Sequence, residues 1–376
     1  MWGLPKQARQ VCLLYQPNQS LLVYNPKASF VSAGDLQGLQ QFVQQHQGCL
    51  LIGYLSYDLI YQLYQVQPRL SDYLNLPKIC FYAFQDWQYL PNQKILADKS
   101  LTKKTCLHLQ SHWNFEQYQQ AFQQVQEYLR LGEVYQLNLT HCLTGKTELT
   151  GQELFQQILT KNLMPGALYF EGADFEILSF SPEKFFQTQG QRVTTSPIKG
   201  TRPRQEKETA DAAACLDLQQ SVKEQAELTM ITDLLRNDLN QVCAAGSVRV
   251  EQARFLQQCP GVWHTASQIT GILATTPLEA LLQMFPGGSV TGCPKRRALD
   301  LIEELEFGQR GIYTGVLGLI QPGGDFDFRI VIRTLVQKNE RVYLQVGGGL
   351  VVDSVAKSEW AETWQKARPF LTATAN

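Results

Sequence analysis

The sequence predicts an α+β fold in which most strands pair in an antiparallel manner. Short apolar runs alternate with turn residues in the first and last thirds of the chain, and they follow one another at hairpin spacing more often than they alternate with helices. Because 44% of the 376 residues are hydrophobic, a sizeable buried core is expected.

The first portion of the chain, residues 1–110, is predicted to contain short strands and one helix. Apolar residues at helical intervals over Leu36–His46 predict the helix. The predicted strands are the apolar runs VCLLY, LLVYN, CLLIGYLSYDLI, KICFYAF and QKILA, which are separated by turn residues.

A strongly helical pattern begins at Asn114 and ends near Gly132. A boundary is expected just before it, so the second portion comprises residues 111–373. Within that portion, residues 168–201 are typical of an antiparallel meander. Further helices are predicted at 223–242, 294–306 and 358–370, and further strands at 315–320, 328–336 and 341–346.

Charge and cysteine usage exclude several functional classes. The net charge is -1, with 33 basic and 34 acidic residues spread along the chain, so the sequence has no electrostatic footprint of nucleic-acid binding. The nine cysteines stand singly, which indicates reduced thiols. Neither a signal peptide nor an apolar run long enough to span a membrane is recognisable, so a cytoplasmic protein without a membrane partner is expected.

Two pairs of glutamates are the first candidate for a functional site. Glu224 and Glu227 stand at i,i+3 on one predicted helix, and Glu359 and Glu362 stand at the same spacing on another. Two such acidic faces, brought together, would suit Mg²⁺, which takes a few carboxylates together with water and substrate oxygens. From the pattern alone, two solvated acidic faces remain an equally simple interpretation.

A lysine in a fixed loop position is the second candidate. Lys199 lies between Pro197 and Gly200, where a desolvated amine would become a nucleophile. The alternative is a surface lysine in a turn. His264 lies alone in an apolar stretch, which more often indicates a packed core residue than a catalyst. Arg333, in the predicted strand FRIVIRTLV, needs an anion, either a structural ion pair or a bound carboxylate.

Glycine clusters are the third candidate. Gly287 and Gly288 precede Gly292, and Gly347, Gly348 and Gly349 follow a predicted strand. Both clusters permit a close backbone approach and leave N–H groups for an anion such as a carboxylate, although structural turns would have the same sequence.

Taken together, these motifs resemble the chorismate-binding family of anthranilate, aminodeoxychorismate, isochorismate and salicylate synthases. The resemblance runs from about Asn114 to Phe370 and rests on YQLNLT, SPEK, PIKGT, AELTMITDLLRND, FPGGSVTGCPK and GGGLVVDS followed by EWAET. It implies an anthranilate synthase component I-like fold, with two packed antiparallel sheets flanked by helices in α/β/β/α layers. The portion before residue 110 looks short for the family.

Within the family, the PIKGT block resembles aminodeoxychorismate synthase component I, because anthranilate and salicylate synthases carry alanine where Lys199 stands. Gln136 agrees, since members that add water carry a lysine there, and glutamine implies ammonia as the nucleophile. The implied reaction gives 4-amino-4-deoxychorismate, the precursor of 4-aminobenzoate and folate, through a covalent Lys199 adduct.

The resemblance also implies roles for single residues. Glu183 would act as the general acid for the departing hydroxyl, with His264 bordering the ring, and Mg²⁺ would be held by Glu227 and Glu362 with Glu224 and Glu359 beside them. The implied substrate-binding residues are Gln136, Gly200, Thr201, Thr291, Tyr313, Arg333, Gly347 and Gly349.

Ammonia is expected from a separate glutamine amidotransferase subunit, because the sequence has no Cys-His-Glu glutaminase pattern. Two alternatives stay open at this point. The chain could be an anthranilate synthase component I, which Lys199 disfavours, or a catalytically silent subunit that only binds an amidotransferase, which would have no need of Lys199, Glu183 and Arg333.

Overall fold

The structure is a computed structural model and describes residues 2–96, 107–259 and 261–373. In chain order the strands are β1 Cys12–Leu14, β2 Gln19–Val23, β3 Ala28–Ser32, β4 Leu50–Leu55, β5 Ile79–Phe84, β6 Gln88–Pro91, β7 Gln110–Ser111, β8 Gln136–Lys146, β9 Leu168–Glu171, β10 Phe175–Ser179, β11 Lys184–Gln189, β12 Arg192–Ser196, β13 Ile198–Pro203, β14 Arg249–Cys259, β15 Val262–Ile272, β16 Gly292–Cys293, β17 Val316–Ile320, β18 Phe326–Ile330, β19 Thr334–Lys338 and β20 Arg341–Leu350. The α-helices are α1 Leu36–Gln45, α2 Ile60–Leu63, α3 Asn92–Leu96, α4 Phe115–Arg130, α5 Gly151–Lys161, α6 Glu208–Gln220, α7 Val222–Val242, α8 Pro277–Met284, α9 Lys295–Leu305 and α10 Ala356–Ala373.

The described strands form two antiparallel sheets. Sheet I has the order β16-β8-β20-β19-β10-β9-β1-β2-β6, with β7 beside β8, and sheet II has the order β13-β15-β12-β11-β18-β17-β4-β5-β3, with β14 beside β15. Strands from the first 110 residues join both sheets, since β1 pairs with β9 and β4 pairs with β17. Hydrogen-bonded strand pairs therefore cross the predicted boundary near residue 110.

The two sheets pack face to face and helices cover their outer faces. Between the sheets, the Tyr82 ring of β5 stacks on the Phe170 ring of β9 at a centroid distance of 4.9 Å. Helices α1, α7 and α8 pack on sheet II, while α5 and α10 pack on sheet I. The layers are thus α/β/β/α, and the predicted α+β fold with two mostly antiparallel sheets is confirmed.

The long amphipathic helices begin and end close to the positions that the sequence predicts. In α4, Asn114 accepts a hydrogen bond from the Gln117 amide, and the Gln117 side chain accepts one from the Asn114 amide. Tyr118, Phe122 and Val125 of the same helix are buried at helical intervals. Over the described residues, no helix is long and apolar enough to cross a membrane.

Four local predictions were wrong. The run CLLIGYLSYDLI is a strand only over Leu50–Leu55, because Tyr57–Leu59 form a 3₁₀-helix that the Ser56 side chain caps. Residues 93–96 of the run QKILA belong to helix α3, not to a strand, since Ile95 is buried in the core and the adjacent Leu96 packs against the same cluster, without the alternation of a strand. The stretch 168–201 is not one meander, since β9 and β10 lie in sheet I and β11 to β13 in sheet II. The predicted strand 328–336 is broken at Arg333, whose φ of 49° is incompatible with extended backbone.

A buried arginine connects several of these elements. The Arg310 guanidinium, 1% exposed, donates to both carboxylate oxygens of Glu306, at 2.7 and 3.0 Å. It also donates to the carbonyls of Asn138 and Val290, at 2.7 and 2.8 Å, and lies over the Tyr57 ring. A buried cation is stable only when its donors are satisfied in this way.

Removing the Arg310 guanidinium should therefore destabilise the fold strongly. For Arg310→Met we expect the free energy of unfolding to fall by about 3–5 kcal/mol, since the Glu306 carboxylate would stay buried without its partner. The matched control is Arg296→Met, which removes the exposed i,i+4 pair with Asp300 and should cost less than about 1 kcal/mol. Urea denaturation measures both values, and similar losses in the two variants would contradict the assignment.

Candidate active site

The two segments that pass from one sheet to the other lie side by side and carry Glu183 and Arg333. Residues 180–183 link β10 in sheet I to β11 in sheet II, and residues 331–333 link β18 in sheet II to β19 in sheet I. The Phe180 amide donates to the Arg333 carbonyl at 3.0 Å, and the Ile330 amide donates to the Glu183 carbonyl at 3.2 Å. The backbone therefore fixes these two residues relative to each other.

Glu183 is a buried carboxyl, 6% exposed, at this junction. Burial raises its pKa, while a hydrogen bond from Ser289 Oγ and the charges of Lys199, Arg333 and Lys366 oppose the rise. The Ser289 hydroxyl donates to Glu183 Oε1 at 2.7 Å. A carboxyl whose pKa is raised can hold a proton for transfer to a leaving group.

Lys199 lies in β13, next to a local irregularity of the sheet. The register against β15 shifts between Lys199 and Thr201, and Gly200 between them has a φ of 65°. A side chain at Gly200 would be strained in that conformation, and its Cβ would lie 2.7 Å from a Leu218 methyl carbon. The Thr265 hydroxyl donates to the Lys199 carbonyl at 2.7 Å and holds the bulged backbone in place.

The ammonium of Lys199 acts on carboxylates from three separate elements. Its charge lowers the pKa of Glu183, of Glu227 on α7 and of Glu362 on α10, although burial remains the larger influence on the first two. The sequence-predicted nucleophile, general acid and metal ligands are thus within electrostatic reach of one another.

His264 and Thr201 stand directly beside this bulge. His264 Nδ1 lies 2.8 Å from the Gly200 carbonyl and 3.1 Å from Thr201 Oγ1. Because a carbonyl only accepts, Nδ1 carries the proton and Nε2 is an acceptor, buried and without a partner among the described residues. Burial, together with the Arg333 charge, lowers the pKa of His264 to about 4, so the ring is neutral near pH 7.

The glutamate pairs of α7 and α10 come within reach of each other through Lys223, which contacts one member of each pair. Lys223 Nζ lies 3.7 Å from Glu227 and 3.8 Å from Glu359, which also accepts from Ser354 Oγ at 2.8 Å. Burial raises the pKa of both Glu227 and Glu359.

The other member of each pair has its own cation. Lys366 Nζ lies 2.9 Å from Glu362 and lowers the pKa of that carboxyl, and Arg202 lies 3.6 Å from Glu224. In the described parts of the chain, no three His, Cys, Asp or Glu side chains gather as metal ligands. The carboxylate oxygens suit a hard divalent ion by type, but here lysine ammonium and arginine guanidinium groups neutralise them.

A glycine edge completes the surroundings of these helices. Gly347 and Gly349 of β20 pair with Thr140 and Asn138 of β8. The Gly347 carbonyl accepts from Lys366 Nζ at 2.8 Å. A Cβ at Gly349 would lie 2.7 Å from Gln136 Nε2, which is buried without a partner among the described residues. A side chain at position 349 would therefore displace this amide from its present place.

Thr291 and Tyr313 contact other residues than those that surround Lys199. Thr291 is fully buried and donates its hydroxyl to the Gly287 carbonyl at 3.0 Å. Burial raises the pKa of Tyr313, whose charged neighbours include Arg310. Arg333 has Glu183 as a charged neighbour instead, and burial lowers its pKa.

Sequence reasoning missed three polar residues of this site. Lys366 contacts Glu362 and Gly347, Ser289 donates to Glu183, and Lys223 bridges the two glutamate pairs. The i,i+4 spacings of Lys223 to Glu227 and Glu362 to Lys366 were visible signals, but on an isolated helix they indicate only a solvated ion pair. The sequence shows nothing at Ser289 that predicts a role, apart from its position between Gly288 and Gly292.

Comparison with known proteins identifies the family. The family model described as "chorismate binding enzyme" matches residues 2–372. The chain belongs to this family. The match extends the resemblance seen in the sequence, which began at about Asn114, to the first portion of the chain.

Individual relatives carry two different names. The chain is 38% identical to aminodeoxychorismate synthase component 1 of Escherichia coli over 70% of this chain and 58% of that protein. It is 37% identical to anthranilate synthase component 1 of Thermus thermophilus over 70% of this chain and 58% of that protein. The aligned part thus spans less than two thirds of these relatives, and identity alone does not separate the two names.

A solved structure supports the fold over nearly the whole chain. The crystal structure of anthranilate synthase component I from Streptococcus pneumoniae superposes with a TM-score of 0.83 at 25% identity, covering 94% of this chain and 92% of that one. The fold is therefore that of anthranilate synthase component I.

The neutral state of His264 predicts a pH dependence of stability. The folded-state pKa is about 4 and the ordinary value is 6.5, so between these pH values the unfolded chain binds a proton that the folded chain does not. The free energy of unfolding should fall by up to about 3 kcal/mol from this group as the pH drops from 6.5 to 4. His264→Gln should remove that part of the slope in urea titrations over this pH range, and an unchanged slope would contradict the assignment.

Proposed function

We propose that this protein is an aminodeoxychorismate synthase component I, which converts chorismate and ammonia to 4-amino-4-deoxychorismate. The observation that carries the proposal is the position of Lys199, at a glycine bulge and within electrostatic reach of Glu183, Glu227 and Glu362. A lysine held there can supply an amine nucleophile beside a proton donor and an anion-binding edge.

The proposed reaction proceeds in two displacements. The Lys199 amine forms a bond to ring carbon 2, the ring double bonds shift, and the 4-hydroxyl departs as water with a proton from Glu183. Ammonia then bonds to carbon 4, the double bonds shift back, and the bond between carbon 2 and the lysine nitrogen breaks with its electron pair on that nitrogen. The new ammonium on carbon 4 returns one proton to Glu183. The enolpyruvyl group stays on the ring, and the ring has two double bonds before and after each displacement.

Other residues orient the substrate in this proposal. Arg333 and Tyr313 take the enolpyruvyl carboxylate, because a buried guanidinium needs an anion and its fork of donors matches the two oxygens of a carboxylate. The edge of Gly347 and Gly349 meets the ring carboxylate, with Gln136 beside it. Gly200, Thr201 and Thr291 are the other proposed substrate-binding residues. The neutral His264 ring borders the leaving group.

Mg²⁺ is proposed as the cofactor, with Glu227 and Glu362 as ligands and Glu224 and Glu359 beside them. When bound, the ion supplies positive charge to the ring carboxylate. Lys223 and Lys366 would have to release the glutamates that they contact here. The source of ammonia is proposed to be a glutamine amidotransferase subunit, by analogy with the family.

Anthranilate synthase component I is the second candidate, because the Thermus relative of that name is as similar as the Escherichia coli one. That reaction releases pyruvate and gives an aromatic product, so the products distinguish the two. Lys199 favours the first candidate.

Replacing Lys199 tests the nucleophile directly. With chorismate, Mg²⁺ and ammonium, wild type should give 4-aminobenzoate only after addition of aminodeoxychorismate lyase, and Lys199→Ala should slow this by about 10²-fold or more because the covalent step is lost. Lys199→Arg keeps the charge without a nucleophile and should be equally slow. Anthranilate and pyruvate formed without lyase, detected by mass spectrometry, would overturn the proposal.

Replacing Glu227 tests the metal site without relying on turnover. Glu227→Gln should weaken Mg²⁺ binding in calorimetric titrations by about tenfold or more, since one anionic oxygen ligand is lost. Glu127→Gln, at an exposed position of α4, is the matched control and should bind as wild type does. Equal affinities for all three proteins would place the ion elsewhere or exclude it.

A further inference from the structure

An acidic cleft lies on the outer face of sheet I, at the amino-terminal end of α5. Its volume is about 730 Å³, within the range of small-molecule sites. Five acidic side chains and no basic one are among the described residues that line it; the acids are Glu148, Glu171, Asp174, Glu176 and Glu340. Of these, Asp174 forms an ion pair with Lys338 at 3.2 Å.

The strand register places three hydrogen-bond acceptors in one row across the floor of the cleft. Glu176 of β10 stands directly opposite Glu171 of β9 on one side and Gln337 of β19 on the other. Directly opposed like charges destabilise a sheet, and each raises the cost of burying the other. Burial is the main influence that raises the pKa of Glu171, and the charge of Glu176 raises it further.

The partners of these carboxylates inside the protein are neutral donors. Glu176 accepts from the Gly151 amide at 3.1 Å and from the Tyr169 hydroxyl at 2.5 Å, and Glu171 accepts from the Val11 amide at 3.2 Å. A carboxylate has about four acceptor sites, so these bonds leave capacity on the cleft side.

Gln337 supplies a second, independent observation. Its side chain is 5% exposed and lines the cleft, yet Oε1 has no hydrogen-bond partner among the described residues. Nε2 donates to the Leu149 carbonyl at 2.8 Å, which fixes the orientation of the amide and excludes the flipped alternative. A buried acceptor of this kind calls for a donor that the protein itself does not provide.

We propose that this cleft binds a small organic cation with N–H donors, of the primary diammonium class, whose donors meet Glu171 and Gln337 Oε1 while Glu340 lines its rim. The site is separate from that of the proposed reaction, because Arg341, which follows Glu340, and Gly347 lie six residues apart in β20, about 20 Å at a rise of ~3.3 Å per residue. An ammonium group neutralises the carboxylate charge and also donates to the unpartnered Gln337 Oε1. A cation without N–H groups only neutralises the charge.

Calorimetric titration with 1,4-diaminobutane tests the proposal. Wild type should show saturable binding at one site, and Glu171→Gln should weaken it by about tenfold or more, because a charge-assisted hydrogen bond is replaced by a neutral one. The glutamine can still accept from the Val11 amide, so the fold is preserved. Glu127→Gln on α4, outside the cleft, should bind within about twofold of wild type, as expected for a distant charge.

Two further measurements keep the outcome decisive. Glu340→Gln, at the exposed rim, should weaken binding about threefold and gives a result even where Glu171→Gln lowers stability. Tetramethylammonium, which has the charge but no N–H donor, should not bind saturably. Equal binding of the two cations, equal binding by Glu171→Gln and wild type, or no saturable binding of 1,4-diaminobutane would each overturn the proposal.

Discussion

The buried ion pair between Arg310 and Glu306 is the interaction on which the geometry of the fold around the candidate site depends. Arg310 donates hydrogen bonds to the Asn138 carbonyl of β8 and to the Val290 carbonyl between Gly288 and Gly292. Glu306 accepts from the Thr140 amide of β8 at 2.9 Å. Two charges at this depth are tolerated only with all their hydrogen bonds made, so small displacements of β8 or of the loop are costly. The strand that carries Gln136 and faces Gly349 is thereby fixed.

A second constraint comes from the way the chain moves between its sheets. Both crossings lie together, and their backbones bond to each other around Glu183 and Arg333. The positive φ of Arg333 costs about 1 kcal/mol or more, and packing on either side must compensate for it. In exchange, a buried carboxyl and a half-buried arginine are held at one junction, where neither sheet could place them through regular alternation.

The sequence predicted helices α1, α4, α7, α9 and α10 but not α5, α6 or α8, and it predicted the sheets only in part. Helix α4 and helix α7 have long amphipathic patterns and side-chain caps, which are local properties that a sequence displays. Membership of a sheet depends on partners far along the chain, so the division between β10 and β11 left no local sign. Arg333 looked like a strand residue because the apolar residues around it pack on both sheets. The glutamates were found by their spacing, but the contact of Lys223 with Glu359 joins two helices and left no local sign in the sequence.

The charges around Glu183 suggest how substrate binding and proton donation would be coupled in the proposed reaction. Lys199, Arg333 and Lys366 all lower the pKa of Glu183 and so favour its ionised form in the free protein. Chorismate carries two carboxylates, and the proposal directs one to Arg333 and the other to the Gly347 edge beside Lys366. Each carboxylate would offset a cation that now opposes the effect of burial, so the pKa of Glu183 would rise further. Glu183 would therefore take up its proton as the substrate binds, when the departing hydroxyl needs an acid.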